Sequence, residues 1–481
     1  MGSCLMLAKA IAVVVSLLYV SSLWAQKEAL IQSIDGRGEQ TWRAAKQIWE
    51  WAEPGYQEKR SAQLLSKMLK SAGFTIQSGV AGIPTAFTAT IGQGKPVIGI
   101  LGEYDALPGL SQEAVPFRRV RQGATYGHGC GHHLFGVASA SACMALAEQI
   151  RGGKIKGTLR YYGCPAEEGG AAKVFMVRAG LFDDCDVVLH WHPGSRNSAG
   201  SRSCLARMAV KFRFHGKSAH AAGSPEKGRS ALDAVELTNH AAQLLREHCP
   251  DFTRIHHVIT DGGGAPNVVP DFAEVYYYIR HPEADILKQL YPRLVKCAQG
   301  AAIATETKLE TVYLGGTMPL LPNNTISEVI HRNLAKWNDL KYDDEERQFA
   351  IRIQNTLTSP PPLDSIAKVD FVSGGFGKGS TDVGDVSWVV PTAGFSTACW
   401  VPGTPAHSWQ AVAAGGTTIA RKGMQLAAKV LATSAYDLFL DAKTIENAKA
   451  EHRRRVGGNR YQPLLEKDQK PPLDYRDPPR R

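Results

Sequence analysis

The sequence predicts an α/β protein that is interrupted by a smaller α+β unit of the ferredoxin-like type. Short apolar strands alternate with helical segments from residue 43 to about 206, which is typical of a sheet with helices on its faces. Between residues 207 and 318 the order of elements becomes β-α-β-β-α-β, the order of a ferredoxin-like unit. The alternation resumes near Ile326, so we expect the smaller unit to be inserted into the α/β layer.

The first α/β segment begins with apolar residues that recur at helical spacing from residue 43 to 72, where Gly73 ends the helix. A short apolar strand over 97–101 then leads into the sequence GEYD at 102–105. The glycine-rich segment 127–136 opens a helix of small residues that runs through Ala147. Further elements alternate in type: a strand over 158–163, a helix over 171–179 and a buried strand over 187–189.

The predicted inserted unit consists of strands over 208–214, 255–260, 273–279 and 309–314 and helices over 230–248 and 285–305. Beyond Asp441 the chain becomes polar and proline-rich, and we expect this tail to wrap the surface or to fray. The predicted organisation is therefore a leader over 1–25, a first α/β part over 26–206, the insert over 207–318, a second α/β part over 319–440 and a tail over 441–481.

The composition is that of a folded globular chain. Of its 481 residues 44% are hydrophobic and 21% are charged, which excludes disorder, collagen, a coiled coil and a polytopic membrane protein. The chain has 55 Lys and Arg against 45 Asp and Glu, but the basic residues are scattered and no nucleic-acid-binding motif accompanies them. We interpret the net charge of +10 as a solvated basic surface that favours anionic substrates and not nucleic acid.

The N-terminal residues have the features of a secretory signal peptide. Lys9 precedes an apolar run over 10–20, and a short stretch with small residues leads up to Ala25. The run is too short for a permanent membrane span. We expect a cleaved leader and an exported protein, periplasmic or secreted, with an uncleaved membrane anchor as the alternative.

The cysteines do not indicate a disulfide framework, although an exported protein would permit one. Nine are present, of which Cys4 lies in the leader, and the rest are spread thinly through mostly apolar segments. Most of them are expected to be small buried hydrophobic residues. Cys130 is the exception, because it lies in the glycine-rich sequence GHGCGHH at 127–133.

Two short motifs suggest metal chemistry. In GHGCGHH, Cys130 and His132 are separated by one glycine, which lets a thiolate and an imidazole face one metal ion, although a glycine-rich turn with a buried cysteine is the alternative. In CPAEEGG (164–170), Glu167 and Glu168 follow a strand and point to opposite sides. One carboxylate can then bind metal while the other accepts a proton. An acidic helix N-terminus is the alternative interpretation.

Two histidine segments offer further ligands. His190 and His192 are two residues apart next to a buried strand, so both share one face and either could reach the same site. His407 lies in a Gly/Pro loop, GTPAHS, at 403–408. Each signal alone is modest, but together they supply the nitrogen, oxygen and sulfur ligands of a two-metal site.

As an ordered series these motifs resemble the co-catalytic zinc metallopeptidases and aminoacylase-type amidohydrolases, a family that includes hippurate hydrolase and plant auxin-conjugate hydrolases. The chain is most similar to the aminobenzoyl-glutamate hydrolase branch, from Trp42 to Arg476. The resemblance is carried by GEYDALP (102–108), GCGH (129–132), PAEEGG (165–170), KSAHAA (217–222), PNVVPD (266–271), GSTDV (379–383) and the His407 loop.

The resemblance implies a catalytic α/β/α domain with an inserted ferredoxin-like dimerisation or lid domain, and it assigns roles by position. Glu167 matches the general base that activates a bridging water, and Asp105 matches a carboxylate that orients a ligand. The implied ligands of two divalent ions, Zn²⁺ or Mn²⁺, are Cys130, His132, Glu168, His407 and one histidine of the pair, with His192 favoured over His190.

Two residues of the inserted unit are implied in substrate binding by the resemblance, and a third is expected from the basic charge of the chain. His220 and Asn267 match residues that reach a substrate carbonyl or carboxylate, often across a dimer interface. Arg280 or another basic group would hold the carboxylate of the substrate.

His133 replaces the Asp or Asn of many relatives, and it could supply an extra ligand or only fill space. We expect a homodimer, with a paralogous second subunit as a further possibility.

The resulting hypothesis is an exported dinuclear amidohydrolase that cleaves N-acyl or N-aroyl amino acids, with aminobenzoyl-glutamate or related folate breakdown products as leading substrates. The alternatives are a dipeptidase or carboxypeptidase of the same family and a non-catalytic exported protein that binds metal or peptide. The adjacent Glu167 and Glu168 argue against simple binding, since binding does not need the carboxylate that is free of metal. A serine or cysteine hydrolase is disfavoured because no Gly-x-Ser-x-Gly motif is present.

Overall fold

An eight-stranded mixed sheet organises the larger domain in the computed structural model, which describes residues 25–477. Its strands are β1 (Thr75–Ser78), β2 (Phe87–Gln93), β3 (Val97–Glu103), β6 (Gly157–Cys164), β7 (Val187–Gly194), β8 (Asn197–Ser203), β13 (Val369–Phe376) and β14 (Thr392–Ala398). The order across the sheet is β1-β2-β6-β3-β7-β14-β8-β13. A separate pair joins β4 (Leu107–Pro108) to β5 (Tyr126–Gly127).

Helices cover this sheet on its faces. They are α1 (residues 25–36), α2 (Gly38–Trp51), α3 (Lys59–Ser71), α4 (His132–Arg151), α5 (Ala172–Arg178), α8 (Asn324–Trp337), α9 (Asp344–Gln354), α10 (Val383–Val389), α11 (Trp409–Gly415), α12 (Thr418–Leu440) and α13 (Ala442–Val456). Single 3-10 turns lie at Val80–Gly82, Pro225–Lys227 and Leu363–Ala367.

The middle of the sheet is fully covered, which determines where a ligand can bind. Strand β3 is buried along its whole length and pairs in parallel with β6 and β7. Helix α4, which is rich in Ala and Ser, is buried on nearly all sides and packs against β3 and α12. Because both faces are occupied, the carboxyl ends of the parallel strands are the open positions for a site.

The inserted unit is a four-stranded antiparallel sheet with two helices. Its elements are β9 (Ala206–His215), α6 (Ala231–Arg246), β10 (Arg254–Asp261), β11 (Phe272–His281), α7 (Ala284–Ala304) and β12 (Lys308–Thr317). The strand order is β10-β11-β9-β12, and both helices pack against this sheet. The predicted β-α-β-β-α-β order and α/β class are therefore confirmed.

Three local expectations differ from the structure. The helical pattern over residues 43–72 is divided into α2 and α3, because Pro54 and Gly55 lie between them and neither residue favours a helix interior. Strand β7 extends to Gly194, so His190 and His192 belong to the strand. Of the two alternatives for the C-terminal tail, its described part packs on the protein, where Tyr475 is only 5% exposed, but the tail begins with a helix that was not predicted, α13.

Two further observations concern the whole described chain. Its eight cysteines are free thiols, as expected. Among residues 25–477, no helix combines the length and the hydropathy that a membrane span requires. The predicted leader over 1–25 falls almost entirely outside the described residues.

Candidate metal centre

The candidate ligands meet at the carboxyl ends of the central parallel strands. Asp105 follows β3, Glu167 and Glu168 follow β6, and His192 lies near the end of β7. Cys130 precedes α4 by two residues, where Gly131 adopts a left-handed conformation with φ +73° that favours glycine. The sequence thus delivers side chains that are far apart in the chain to one edge of the sheet.

Two groups of ligand atoms form there. The ligand atoms of Cys130, His132 and His192 lie within 4.8 Å of one another, and so do those of Cys130, Glu168 and His407. Cys130 belongs to both groups, and its Sγ lies 3.0 Å from His407 Nε2. The sequence-predicted ligands are therefore brought together as two adjacent sites that share a thiolate.

The chemistry of these donors fits divalent cations. His132 Nε2 and Glu168 Oε1 are buried and make no hydrogen bond, which is costly unless something else satisfies them. Glu168 Oε2 lies 3.5 Å from His407 Nε2, so the ligand atoms of the second group also converge. Imidazole, thiolate and carboxylate together suit a borderline metal such as zinc, and also manganese or iron.

The loop of His407 is held in an unusual conformation. His407 has φ +58°, although it is not glycine, and its backbone N–H donates to Gly129 O at 3.0 Å. A Cβ at Gly129 would lie 3.2 Å from His407 Cα, so glycine permits this close approach. Such backbone outliers occur preferentially at functional sites, where the surrounding structure holds them.

Asp105 connects the two groups. Its Oδ1 lies 2.8 Å from His132 Nδ1, and its Oδ2 accepts a 2.8 Å hydrogen bond from the Glu168 backbone N–H. Burial would raise the pKa of Asp105, but His132 and these hydrogen bonds outweigh it and hold the pKa below its usual value. The ionised carboxylate orients His132 so that Nε2 faces the neighbouring ligands.

Glu167 lies beside the ligands but in neither shared group. Its Oε2 is 4.0 Å from His132 Nε2, and its side chain is 12% exposed to the adjoining cavity. Burial, and then Glu103 and Glu168, raise the pKa of Glu167 well above that of an ordinary glutamate. A carboxyl group with this environment is suited to accept and return a proton.

Sequence reasoning missed a buried ion cluster behind the ligands. Lys173 Nζ lies 2.6 Å from Glu103 Oε1 and 2.6 Å from Asp382 Oδ1, and all three side chains are almost inaccessible to solvent. Glu103 Oε2 is also 3.2 Å from His132 Nε2, and it forms a third ligand group with His132 and Glu167. Glu103 ends a fully buried strand inside the GEYDALP motif, a signal that could have identified it.

The structure distinguishes His192 from His190 as the candidate metal ligand. His192 joins Cys130 and His132, whereas His190 packs against Gly394 on β14 and its Nε2 has no hydrogen-bond partner. Burial lowers the pKa of His190 to about 4. His133 Nε2–H donates a hydrogen bond to Gly415 O, 2.9 Å away, and the ring fills space beside that chain segment.

A cavity of about 990 Å³ opens from the ligands toward the inserted unit. Its lining includes Arg280, the residue expected to hold a substrate carboxylate, and also Arg207 and Arg476, which sequence reasoning did not select. His220 and Asn267 do not line it; the backbone of their segments is paired, and the His220 side chain is exposed on the inserted unit.

An α/β domain with a thiolate–imidazole–carboxylate site at its strand ends, joined to a ferredoxin-like insert, defines a metal-binding hydrolase of amide bonds. Residues 205–305 match the family described as a peptidase dimerisation domain. The chain is 43% identical over 437 residues to one of the p-aminobenzoyl-glutamate hydrolase subunits of Escherichia coli K12, covering 85% of this chain and 91% of that protein. It belongs to the M20 peptidase family, as the resemblance implied.

Other relatives agree with this assignment. Xaa-Arg dipeptidase of Mus musculus is 29% identical over 447 residues, which cover 88% of this chain and 91% of that enzyme. The crystal structure of an aminobenzoyl-glutamate utilization protein from Klebsiella pneumoniae has the same fold, with a TM-score of 0.56 and 18% identity over 82% of this chain and 98% of that one. The 43% identical relative and the family match, and not this fold likeness, make the chain a hydrolase that acts on amide bonds.

Proposed function

We propose that this chain hydrolyses the amide bond of N-acyl or N-aroyl amino acids, with p-aminobenzoyl-glutamate as the leading substrate. One observation carries the proposal: two ligand groups that share Cys130 lie beside Glu167, which belongs to neither of them, at the end of a cavity that three arginines line. The name of the 43% identical bacterial relative supports the choice of substrate.

Two divalent ions, Zn²⁺ or Mn²⁺, fit the two groups. Cys130, His132 and His192 would hold one ion, and Cys130, Glu168 and His407 the other. When bound, the ions supply the Lewis acidity that polarises an amide carbonyl and makes a water molecule easier to deprotonate. Asp105 holds His132 and Glu168 in position.

Glu167 performs the proton transfers. As a carboxylate it takes a proton from the attacking water, and it then returns that proton to the nitrogen of the leaving amine. Burial, with Glu103 and Glu168 nearby, raises the pKa of Glu167, which makes its carboxylate a stronger base for the first transfer. Arg280, partly buried in the cavity wall, would bind a carboxylate of the substrate.

A direct assay tests this function. We expect chelator-treated protein to hydrolyse p-aminobenzoyl-glutamate only after Zn²⁺ or Mn²⁺ is restored, and Glu167→Gln to lower kcat about 10²- to 10⁴-fold. Glu345→Gln, at an exposed position on α9, is the matched control and should retain full activity. Undiminished turnover in the Glu167 variant, with normal metal content, would exclude Glu167 as the base.

A dipeptidase acting before a C-terminal arginine is the second candidate, since relatives named Xaa-Arg dipeptidase are 29% and 27% identical. The cavity opposes it, because Arg207 and Arg280 would repel a substrate guanidinium. A lysine- or arginine-terminated dipeptide that is hydrolysed faster than p-aminobenzoyl-glutamate would favour this candidate.

We further propose that the inserted unit forms a dimer, either with a second copy or with a paralogous subunit. The match to a peptidase dimerisation domain supports this, as does the exposed position of His220 outside its own chain's cavity. Mixing the inactive variants Glu167→Gln and His220→Ala should restore activity if His220 acts on the partner's cavity. No restoration in mixed dimers would oppose that role.

Export of the protein is also proposed, and the pattern of Lys9, the apolar run over 10–20 and Ala25 supports it. N-terminal sequencing of protein recovered from the periplasm or the medium tests the expectation. A mature chain that starts near residue 26 agrees with a cleaved leader, whereas protein found only in the cytoplasm contradicts export.

A further inference from the structure

Three arginines from different parts of the chain line the cavity beside the metal centre. Arg207 and Arg280 lie on neighbouring strands, and they are directly opposite each other in the β9–β11 register. Arg476 comes from the C-terminal segment, and its Nη2 donates to the backbone oxygen of Glu168 at 3.0 Å. Three cationic side chains thus line the same cavity as the candidate metal ligand Glu168.

Arg207 is buried and Arg280 and Arg476 are partly buried, and among the described residues none of the three forms an ion pair with a carboxylate. The Nε atom of each is inaccessible to solvent and has no hydrogen-bond partner. The faces of tyrosine rings cover them instead. The ring centroid of Tyr278 lies 4.7 Å from Arg207 Cζ and 5.6 Å from Arg280 Cζ, and that of Tyr475 lies 4.7 Å from Arg476 Cζ. Two cations opposite each other on paired strands repel, so this arrangement is unfavourable until an anion binds.

The electrostatics of Arg280 agree with this interpretation. Burial, followed by the neighbouring charge of Arg207, lowers the pKa of Arg280 below its ordinary value. An anion between the two guanidinium groups would remove that repulsion.

The C-terminal segment is held firmly enough to position Arg476. Tyr475 is buried and packs edge-on against Tyr56, with ring centroids 5.8 Å apart. Lys211 Nζ donates to Tyr475 O at 3.2 Å, which connects the segment to the inserted unit. A Cβ at Gly55 would lie 2.4 Å from the Tyr475 hydroxyl, so glycine provides the space for this ring.

We propose that Arg476 completes a site for a substrate with two carboxylates, and that the C-terminal segment thereby selects N-acylated dicarboxylic amino acids. Arg207 and Arg280 bind one carboxylate, and Arg476 binds the other. The inference rests on the proposed hydrolase function and adds a specificity residue to it. A single carboxylate accepts two parallel hydrogen bonds from one guanidinium, so three converging arginines have capacity for a second anionic group.

The test compares two substrates of nearly equal shape. p-Aminobenzoyl-glutamate has two carboxylates, and p-aminobenzoyl-glutamine has one, because an amide replaces the side-chain carboxylate. We expect Arg476→Gln to lower kcat/KM for the glutamate substrate about 10- to 100-fold, the usual effect of losing a hydrogen-bonded charge partner. Its effect on the glutamine substrate should be less than about threefold. Arg460→Gln, an exposed change in the same C-terminal region, should leave both values unchanged.

The outcomes separate this inference from the function on which it rests. If metal-loaded wild type hydrolyses neither substrate, the proposed function is wrong. If wild type is active but Arg476→Gln lowers both kcat/KM values equally, or neither, the inference alone is overturned. If that variant does not fold, competitive inhibition of wild type decides: free glutamate should bind at least about tenfold more tightly than free glutamine, and equal inhibition constants would refute the site.

Discussion

Asp105→Asn provides the sharpest test of how the metal centre is organised. The two Asp105 oxygens accept from different partners, the ring of His132 and the backbone N–H of Glu168, each at 2.8 Å. Asparagine keeps the shape but has one oxygen acceptor, and its NH₂ group must face the other donor. In one orientation of the amide the hydrogen bond from Glu168 N–H is lost, and in the other His132 must give up its proton on Nδ1.

The magnitude follows from the loss of one hydrogen bond or from the wrong tautomer of His132. A hydrogen bond to a charged group contributes about 1.5–3 kcal/mol, and 1.36 kcal/mol corresponds to a factor of ten. If the amide oxygen remains with Glu168, His132 must turn to the tautomer that carries its proton on Nε2, the atom that faces Cys130 and His192. We expect the metal affinity to fall about 10- to 100-fold, with a parallel loss of kcat.

The assay is a competition titration of apo-protein with a fluorescent zinc chelator, followed by kcat on reloaded enzyme. Asp184→Asn is the matched control, since Asp184 forms a half-exposed ion pair with Arg160 at 2.6 Å, away from the ligands. Circular dichroism verifies that both variants are folded. A folded Asp105 variant that binds zinc as tightly as wild type would refute the positioning role of Asp105.

Three further changes test other parts of the structure. Lys173→Met leaves Glu103 and Asp382 buried without their cation. The free energy of unfolding, measured in a denaturant titration, should therefore fall by about 3–5 kcal/mol. A loss below about 1 kcal/mol would contradict the ion cluster. Cys130→Ser alters a ligand of both groups, so mass spectrometry should find fewer ions at both sites, whereas loss of one ion only would argue against sharing. Burial raises the pKa of Asp385 to about 7, so the folded chain keeps this proton after the unfolded carboxyl releases it near pH 4. The stability of wild type therefore falls as pH rises from about 4 to 7, and Asp385→Asn should lack this fall. The Tm of the variant minus the Tm of wild type should then be larger at pH 8 than at pH 5. A difference that is the same at both pH values would contradict this.

Much of the fold was predictable because its signals are local. The alternation of strands and helices and the β-α-β-β-α-β order depend on residues that are close in sequence, and β9 to β12 start and end within a few residues of the expected positions. The motifs around Cys130 and Glu167 follow strands or precede a helix, so their position at one edge of the sheet could be inferred.

What could not be predicted depends on contacts between distant segments. His190 and His192 are equivalent by strand periodicity, but β14 places Gly394 opposite His190, which leaves room for that ring beside the strand. The role of Arg476 depends on where a polar, proline-rich tail is held, and Tyr56, Gly55 and Lys211 determine this. Nothing in the tail itself indicates that it returns to the metal centre.

The position of β14 between β7 and β8 affects how the protein folds while the ribosome is still making it. Ser396 on β14 donates a hydrogen bond to His192 O, 204 residues earlier in the chain. At roughly 5–20 residues per second, a ribosome needs about 10–40 s to make that stretch. During this time β7 and its histidine ligand have an unpaired edge, a typical starting point for aggregation, while the inserted unit can already complete its own local sheet. Assembly of the metal centre is thus a late event in the life of each new chain, because its last ligand, His407, emerges after β14.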